Sequence, residues 1–134
     1  MKELKLKAID ENLSVVLDTT EAFLEGQCSE EIKNEILISI DELFINIAHY
    51  AYGAEEGEAY IKLEMKEEPK SIKITLMDWG IPFDPFAKED PDIDLTLEER
   101  KIGGLGIFMV KDYMDQVNYE YRDGSNIVTL VKKL

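Results

Sequence analysis

Hydrophobic residues recur every three or four positions along residues 32–52, a stretch that contains neither glycine nor proline. The apolar stripe consists of Ile32, Ile36, Ile40, Leu43 and Ile47. This spacing predicts an amphipathic helix with one face in a hydrophobic core. A polar stripe with the same spacing consists of Ser39, Glu42, Asn46 and His49. Polar groups that share a face of so apolar a helix must meet water, a ligand or a buried network.

Segments that alternate polar with apolar residues, or that are rich in β-branched and aromatic residues, predict strands. The predicted strands are residues 3–9, 60–66, 72–77, 117–121 and 127–131. The second and third of these are joined by a short turn, so they should form an antiparallel hairpin. The predicted helices are residues 11–25, 29–52 and 107–114. Residues that favour helix caps precede the first two helices, and glycines follow them.

The order of elements is β-α-α-β-β-loop-α-β-β, which predicts an α+β fold. In such a fold we expect a two-layer arrangement with the helices on one face of a mixed or antiparallel sheet. The loop covers residues 78–102, is acidic, and contains Gly80, Pro82, Pro85 and Pro91. A long irregular segment of this kind is unusual in a small domain and is typical of a lid or a binding loop.

The composition is typical of one soluble globular domain spanning residues 1–134, with 45% hydrophobic and 33% charged residues. The net charge of −14 disfavours direct binding to nucleic acid, because phosphate backbones require basic partners. The acidic excess favours solubility and the attraction of a basic protein partner. A single cysteine and a single histidine make an ordinary zinc site unexpected.

The distribution of hydrophobic residues also bears on cellular location. No apolar run approaches the roughly 20 residues that span a bilayer, so no membrane insertion is expected. The N-terminal segment MKELKLKAID alternates instead of forming the continuous apolar block of a signal peptide. We therefore expect a cytoplasmic protein.

The first of three candidate segments is the pair Glu42 and Asn46, which lie one turn apart on the polar face of the central helix. The amide oxygen of Asn46 is a ligand of the kind that Mg²⁺ accepts. The carboxylate of Glu42 can orient or deprotonate an attacking hydroxyl. The structural alternative is a solvated helix face with a side-chain hydrogen bond.

The second candidate segment is Asp78-Trp79-Gly80, which follows an apolar strand. A carboxylate in that position must be solvated, paired or bound to a ligand, and it can accept a hydrogen bond from the exocyclic amine of adenine. Gly80 has no Cβ and lets a flat ring approach the backbone closely. The structural alternative is an aspartate that ends a strand and starts a turn.

The third candidate segment is glycine-rich and lies just before a predicted helix. It consists of Gly103, Gly104, Leu105 and Gly106. A glycine-rich turn that leads into a helix can bind phosphate through its backbone amides, and Arg100 could meet a terminal phosphate. The segment is neither a Walker loop nor a dinucleotide-binding fingerprint. A tight turn with close helix packing and a surface arginine are the structural alternatives.

These three segments, in this order and at this spacing, resemble the N, G1 and G2 boxes of the GHKL, or histidine-kinase-like, ATPase fold. The corresponding stretches are DELFINIAHYAY, MDWGIPFDPF and GGLGIFMVKDYMDQV. The short form of the boxes is most similar to bacterial anti-sigma factor serine/threonine kinases of the RsbW/SpoIIAB type. The similarity extends from the first strand to the final VTLVKKL.

The resemblance implies that the chain binds ATP and Mg²⁺, with Glu42 as the catalytic base and Asn46 as the metal ligand. It also implies that Asp78 binds the adenine amine and that residues 84–102 form an ATP lid. Taken together, the expected cofactor-binding residues are Asp78, Gly80, Arg100, Gly103, Gly104, Leu105 and Gly106. Members of this family phosphorylate a serine or threonine of an anti-anti-sigma (STAS-domain) partner and sequester a sigma factor. A homodimer is the assembly that the resemblance implies.

Three features differ from the family pattern. Tyr50 stands where relatives carry histidine, and His49 lies one position earlier. The last hairpin carries Ser125-Asn126 in place of Gly-Thr, and residues 11–26 of the first helix contain no lysine or arginine. These differences are compatible with ATP binding and leave the identity of the partner open.

Other functions compete with an ATP-dependent kinase that is also an anti-sigma factor. A non-catalytic switch would bind ATP and a protein partner without transferring phosphate, and the presence of Glu42 favours the kinase. The ATPase core of a histidine kinase needs an upstream phosphoacceptor helix, for which these residues leave no room. A gyrase-like or chaperone-like ATPase needs a further domain with a phosphate-contacting lysine.

Overall fold

The computed structural model describes residues 1–87 and 104–134, and five strands in these ranges form one sheet. The strands are β1 (Lys2–Lys7), β2 (Glu58–Lys66), β3 (Ser71–Asp78), β4 (Gln116–Arg122) and β5 (Ser125–Lys133). Their order across the sheet is β1-β2-β3-β5-β4, and each neighbouring pair is antiparallel. All five predicted strands are present, and the sheet is antiparallel, not mixed.

Three α-helices pack on this sheet, as the order of elements predicted. They are α1 (Leu13–Leu24), α2 (Glu30–Asn46) and α3 (Gly104–Tyr113). Ser29 caps α2, because its hydroxyl accepts a hydrogen bond from the Ile32 amide at 3.2 Å. A left-handed Gly26, with φ of 73°, follows α1. These two residues confirm the predicted boundary between the helices.

The central helix differs from the prediction at its C-terminal end. The α-helical part ends at Asn46, and a π-helical turn covers Ile47–Ala51. A π-helical turn has a wider spacing than the three-to-four repeat. The polar stripe predicted from that repeat therefore does not continue past Asn46.

The hydrophobic core lies between the helices and the inner face of the sheet. Its largest fully buried side chains are Phe44, Leu24, Ile36, Ile40, Ile61, Leu63, Ile72, Ile74, Leu76, Leu130, Val16 and Val110. Each strand contributes alternate residues to this layer, which follows from the period of two in a strand. The result is an α+β two-layer fold with the helices on one face, as predicted.

The centre of the sheet brings together segments that are distant in sequence. Strand β3 lies between β2 and β5, and its last residue, Asp78, pairs with Ala59 on one side and Asn126 on the other. The candidate site lies at this end of β3.

Candidate functional site

A pocket with about 460 Å³ of empty space, including its open mouth, lies between the C-terminal end of α2 and the ends of β3 and β5. Its lining residues are Leu43, Asn46, Ile47, Tyr50, Ala51, Leu76, Asp78, Ile81, Phe83, Pro85, Asn126 and Val128. The wall is largely apolar, with a few polar groups, which is the usual character of a small-molecule site. Two residues singled out from the sequence, Asn46 and Asp78, line this same pocket.

Asp78 is the buried acid of the pocket, with only 6% of its surface exposed. Its Oδ1 accepts hydrogen bonds from the Gly80 amide and from Nδ2 of Asn126, both at 2.9 Å. Burial raises the pKa of the Asp78 carboxyl, although these two donors act in the opposite direction. Because both donors use Oδ1, the structure leaves Oδ2 as the oxygen that can accept a hydrogen bond from a ligand.

Asn126 is the site residue that the sequence did not identify, and it is 4% exposed. Its Nδ2 donates to Asp78 and to the Ile81 carbonyl at 2.8 Å. Its Oδ1 accepts a hydrogen bond from the Phe83 amide at 3.0 Å and another from the Tyr119 hydroxyl. The only signal in the sequence was the departure from Gly-Thr in the last hairpin, which carried no indication of these contacts.

Gly80 lies against the backbone at the end of the π-helical turn. A Cβ on Gly80 would lie 2.0 Å from the carbonyl oxygen of Ala51, so no other residue fits without a backbone shift. The next amide, of Ile81, donates to that same carbonyl at 2.9 Å. The close approach thus joins the loop after β3 to the end of α2.

Glu42 lies one helical turn before Asn46 but does not line the pocket as it stands. Its carboxylate instead lies against the backbone of Gly106 in the first turn of α3. Burial, and secondarily the charge of Asp41, raises the pKa of the Glu42 carboxyl. Within residues 1–87 and 104–134 the structure gives this carboxylate no hydrogen-bond donor. A half-buried acid with a raised pKa is better suited to proton transfer than an ordinary surface glutamate.

The other two members of the predicted polar stripe lie elsewhere. Ser39 is buried, and its hydroxyl donates to the Glu35 carbonyl at 2.8 Å within α2. His49 is exposed and pairs with Asp10, with 2.8 Å between Nε2 and Oδ1. The four residues of the predicted polar stripe therefore have different surroundings. Ser39 satisfies its own helix backbone, and the π-helical turn changes the spacing before His49.

Several predicted residues lie outside the described part of the chain. These include Arg100, Gly103 and most of the expected lid at 84–102. Gly104 and Leu105 form the start of α3, and Gly106 is described in full.

Two kinds of feature are absent from the described residues. No helix within residues 1–87 and 104–134 is long and apolar enough to cross a membrane. The same ranges contain no group of three or more His, Cys, Asp or Glu side chains placed to hold a metal ion.

Comparison with protein families finds a match that covers most of the chain. The model of a histidine kinase-like ATPase domain matches residues 6–132. Curated relatives include the serine/threonine-protein kinase BtrW of Bordetella bronchiseptica, 25% identical over 107 residues, which are 80% of this chain and 75% of that protein. The serine-protein kinase RsbW of Listeria monocytogenes is 28% identical over 105 residues, or 75% of this chain and 66% of that protein.

Solved structures share the fold at low identity. A Mycobacterium tuberculosis structure with RsbU and RsbW domains superposes on 100% of this chain with a TM-score of 0.62 and 13% identity. The histidine kinase domain of a blue-light activated kinase from Erythrobacter litoralis covers 92% of this chain, with a TM-score of 0.53 and 16% identity. This chain spans 33% of the first of those proteins and 60% of the second.

Proposed function

The chain belongs to the histidine kinase-like ATPase family, and on that premise we propose that it is an ATP-dependent protein-serine kinase and anti-sigma factor. In this proposal it phosphorylates a serine or threonine of an anti-anti-sigma STAS-domain partner and sequesters a sigma factor. Relatives named as serine-protein kinases support the kinase class at 25–28% identity. The identity of the STAS partner and of the sigma factor belongs to the proposal.

The observation that carries nucleotide binding is the arrangement around Asp78. A buried carboxylate with Oδ1 fully engaged and Oδ2 available fits the exocyclic amine of adenine, which needs an acceptor. The apolar pocket wall fits the flat faces of a purine. A purine bound there would lie next to Asn46, whose amide oxygen suits Mg²⁺. These residues therefore fit Mg-ATP.

The catalytic chemistry falls to the two polar residues of α2. When bound, Mg-ATP would supply the phosphoryl group together with a cation to offset the phosphate charge. Asn46 would hold the metal from the protein side. Glu42, whose pKa is raised by burial, accepts the proton of the partner's hydroxyl and orients that hydroxyl for attack. The expected phosphate contacts are those named from the sequence, Arg100 and residues 103–106.

The proposal also covers the cellular compartment and the oligomeric state. We place the protein in the cytoplasm, where sigma factors act, and we propose that it works as a homodimer. Its net charge of −14 attracts partners that present a basic surface.

The experiment that tests nucleotide binding is calorimetry of Asp78→Asn with ATP and Mg²⁺. The amide turns a donor toward the adenine amine, and the lost hydrogen bond to a charged acceptor should weaken binding roughly ten- to a hundred-fold. Unchanged affinity in the folded variant would contradict the assignment of Asp78.

The same variant provides its own control for folding. Burial raises the folded-state pKa of Asp78, so the ionised carboxylate weakens the fold as the pH rises through that pKa. Asp78→Asn removes this cost and should raise the melting temperature at pH 7. The gain should vanish below about pH 4, where the unfolded aspartate is protonated as well. A lower melting temperature at pH 7 would mean that the weakened binding reflects damage to the fold.

A further inference from the structure

The carboxylate of Glu42 on α2 lies beside Gly106 in the first turn of α3. A Cβ placed on Gly106 would lie 2.1 Å from Cδ of Glu42 and 2.3 Å from each of its carboxylate oxygens. Ordinary contact between such atoms requires about 3.5 Å. Any side chain at position 106 would therefore push the carboxylate away by more than about 1 Å.

The group that has to move is the free end of a flexible side chain. Glu42 can turn its carboxylate aside without moving the backbone of either helix, so the collision should displace the acid and leave the fold intact. Glycine within a helix otherwise weakens it, and alanine is the better helix former. A glycine as the third residue of α3 thus lowers helix stability and, in return, leaves room for the acid.

We infer that Gly106 is a positioning residue for Glu42: its missing side chain leaves the space in which the Glu42 carboxylate is held. This role deepens the proposed function and rests on it, because it gives the position of the catalytic base a structural cause. It is separate from the phosphate contact expected of the Gly106 backbone amide, because an alanine at this position keeps that amide. Gly106→Ala therefore tests the space beside Glu42 and not the amide contact.

The kinetic test is Gly106→Ala, assayed by single-turnover phosphate transfer to the STAS partner and by ATP titration. A base displaced by about 1 Å should slow transfer roughly 100-fold. The KM and Kd for ATP should stay close to their wild-type values, because alanine keeps the backbone amide through which Gly106 is expected to contact phosphate. A KM for ATP that rises by the same factor as the rate falls would overturn the inference, because the substitution would then act on the nucleotide and not on Glu42.

The variant Glu42→Asp, with its shorter acidic side chain, provides a control background for Gly106→Ala. Glu42→Asp withdraws the carboxylate by one carbon–carbon bond, about 1.5 Å, and so makes room for an alanine methyl group. Glu42→Asp alone should slow transfer, and adding Gly106→Ala should then change the rate little. An equal fold-loss from Gly106→Ala in the wild-type and Glu42→Asp backgrounds would overturn the inference.

A double-mutant cycle of melting temperatures tests the contact between Gly106 and Glu42 independently of kinase activity. Gly106→Ala should raise the melting temperature more in the Glu42→Ala background than in the wild type, because only the wild type retains the colliding carboxylate. An equal change in both backgrounds would contradict the inference. If the wild type transfers no phosphate to any STAS protein, the proposed function fails, and this cycle alone decides whether Gly106 positions Glu42.

Discussion

The Asn126 amide joins three separate segments of the chain at the base of the pocket. It bonds to Asp78 at the end of β3, to Ile81 and Phe83 in the following loop, and to Tyr119 on β4. Both of its amide hydrogens and its oxygen are used, and one of the hydrogens fixes which oxygen of Asp78 remains available. Orientation of this one amide thus decides how the pocket presents its acid.

Removal of this amide should weaken both the fold and the site. Asn126→Ala leaves buried donors and acceptors without partners, so the free energy of unfolding should fall by about 2–4 kcal/mol. ATP affinity should fall as well, because the loop at Ile81 and Phe83 loses its anchor. Urea unfolding measures the first effect, and Asn118→Ala, an exposed position on the neighbouring strand β4, is the control, expected within about 0.5 kcal/mol of wild type. Equal stability of the two variants would contradict the role of Asn126.

Local sequence patterns pointed to two residues that lie at the pocket. Asn46 and Asp78 were identified from a helix repeat and from a strand end, and both line the pocket. Asn126 lies 48 positions from Asp78, and only strand pairing brings them together, so no local pattern reveals that contact. Spacing alone does not separate such residues from Ser39, which has the same repeat and yet donates its hydroxyl to its own helix backbone.

At the scale of elements, the π-helical turn at Ile47–Ala51 is the part of the central helix that contacts the loop after β3. π-helical turns are rare and are frequently found at functional sites. Here the turn aims the Ala51 carbonyl at the Ile81 amide, while Gly80 passes close beside it. The position of the pocket wall therefore depends on backbone packing, not on side chains alone.

Gly80→Ala tests this packing. The added methyl group meets backbone atoms of Ala51 that cannot rotate aside, in contrast to the flexible Glu42 carboxylate beside Gly106. The free energy of unfolding should fall by about 1–3 kcal/mol, as for other overpacked positions, and ATP affinity should fall with it. Pro82→Ala, an exposed change in the same loop, should cost less than about 1 kcal/mol. A Gly80→Ala variant with wild-type stability and affinity would show that the close approach is unimportant.

The elements themselves were largely predictable, because alternation and helical repeats follow directly from which face is buried. Every predicted strand is found, with ends that differ by two residues or fewer. The π-helical turn was missed because residues 47–51 contain no glycine or proline to mark a change. The Ala51 carbonyl at its end accepts a hydrogen bond from the Ile81 amide, a tertiary contact that no local pattern reveals.

At the scale of the whole molecule, the outer face of the sheet provides a surface for the proposed dimer. Tyr60, Met77 and Ile127 are paired neighbours in one row across β2, β3 and β5, on the face opposite to the helices, and each is partly exposed. Sedimentation velocity at tens of micromolar should give a dimer, since a typical weak dimer forms at that concentration. Met77→Glu places a charge in the row and should shift the protein toward monomer. A monomeric wild type at that concentration would contradict the proposed dimer.

In the proposed function one helix, α2, carries both the base and the metal ligand of a protein kinase. The most direct test of this assignment is single-turnover phosphate transfer to the STAS partner by Glu42→Gln and Asn46→Ala, with ATP binding measured alongside. Glu42→Gln keeps the shape and removes the charge, so Mg-ATP should still bind while transfer falls by roughly 10²–10⁴. Asn46→Ala should weaken Mg-ATP binding and transfer together, because it removes a metal ligand. Transfer by Glu42→Gln at the wild-type rate would contradict the assignment of the base, and no transfer by the wild type would favour a non-catalytic ATP-binding switch.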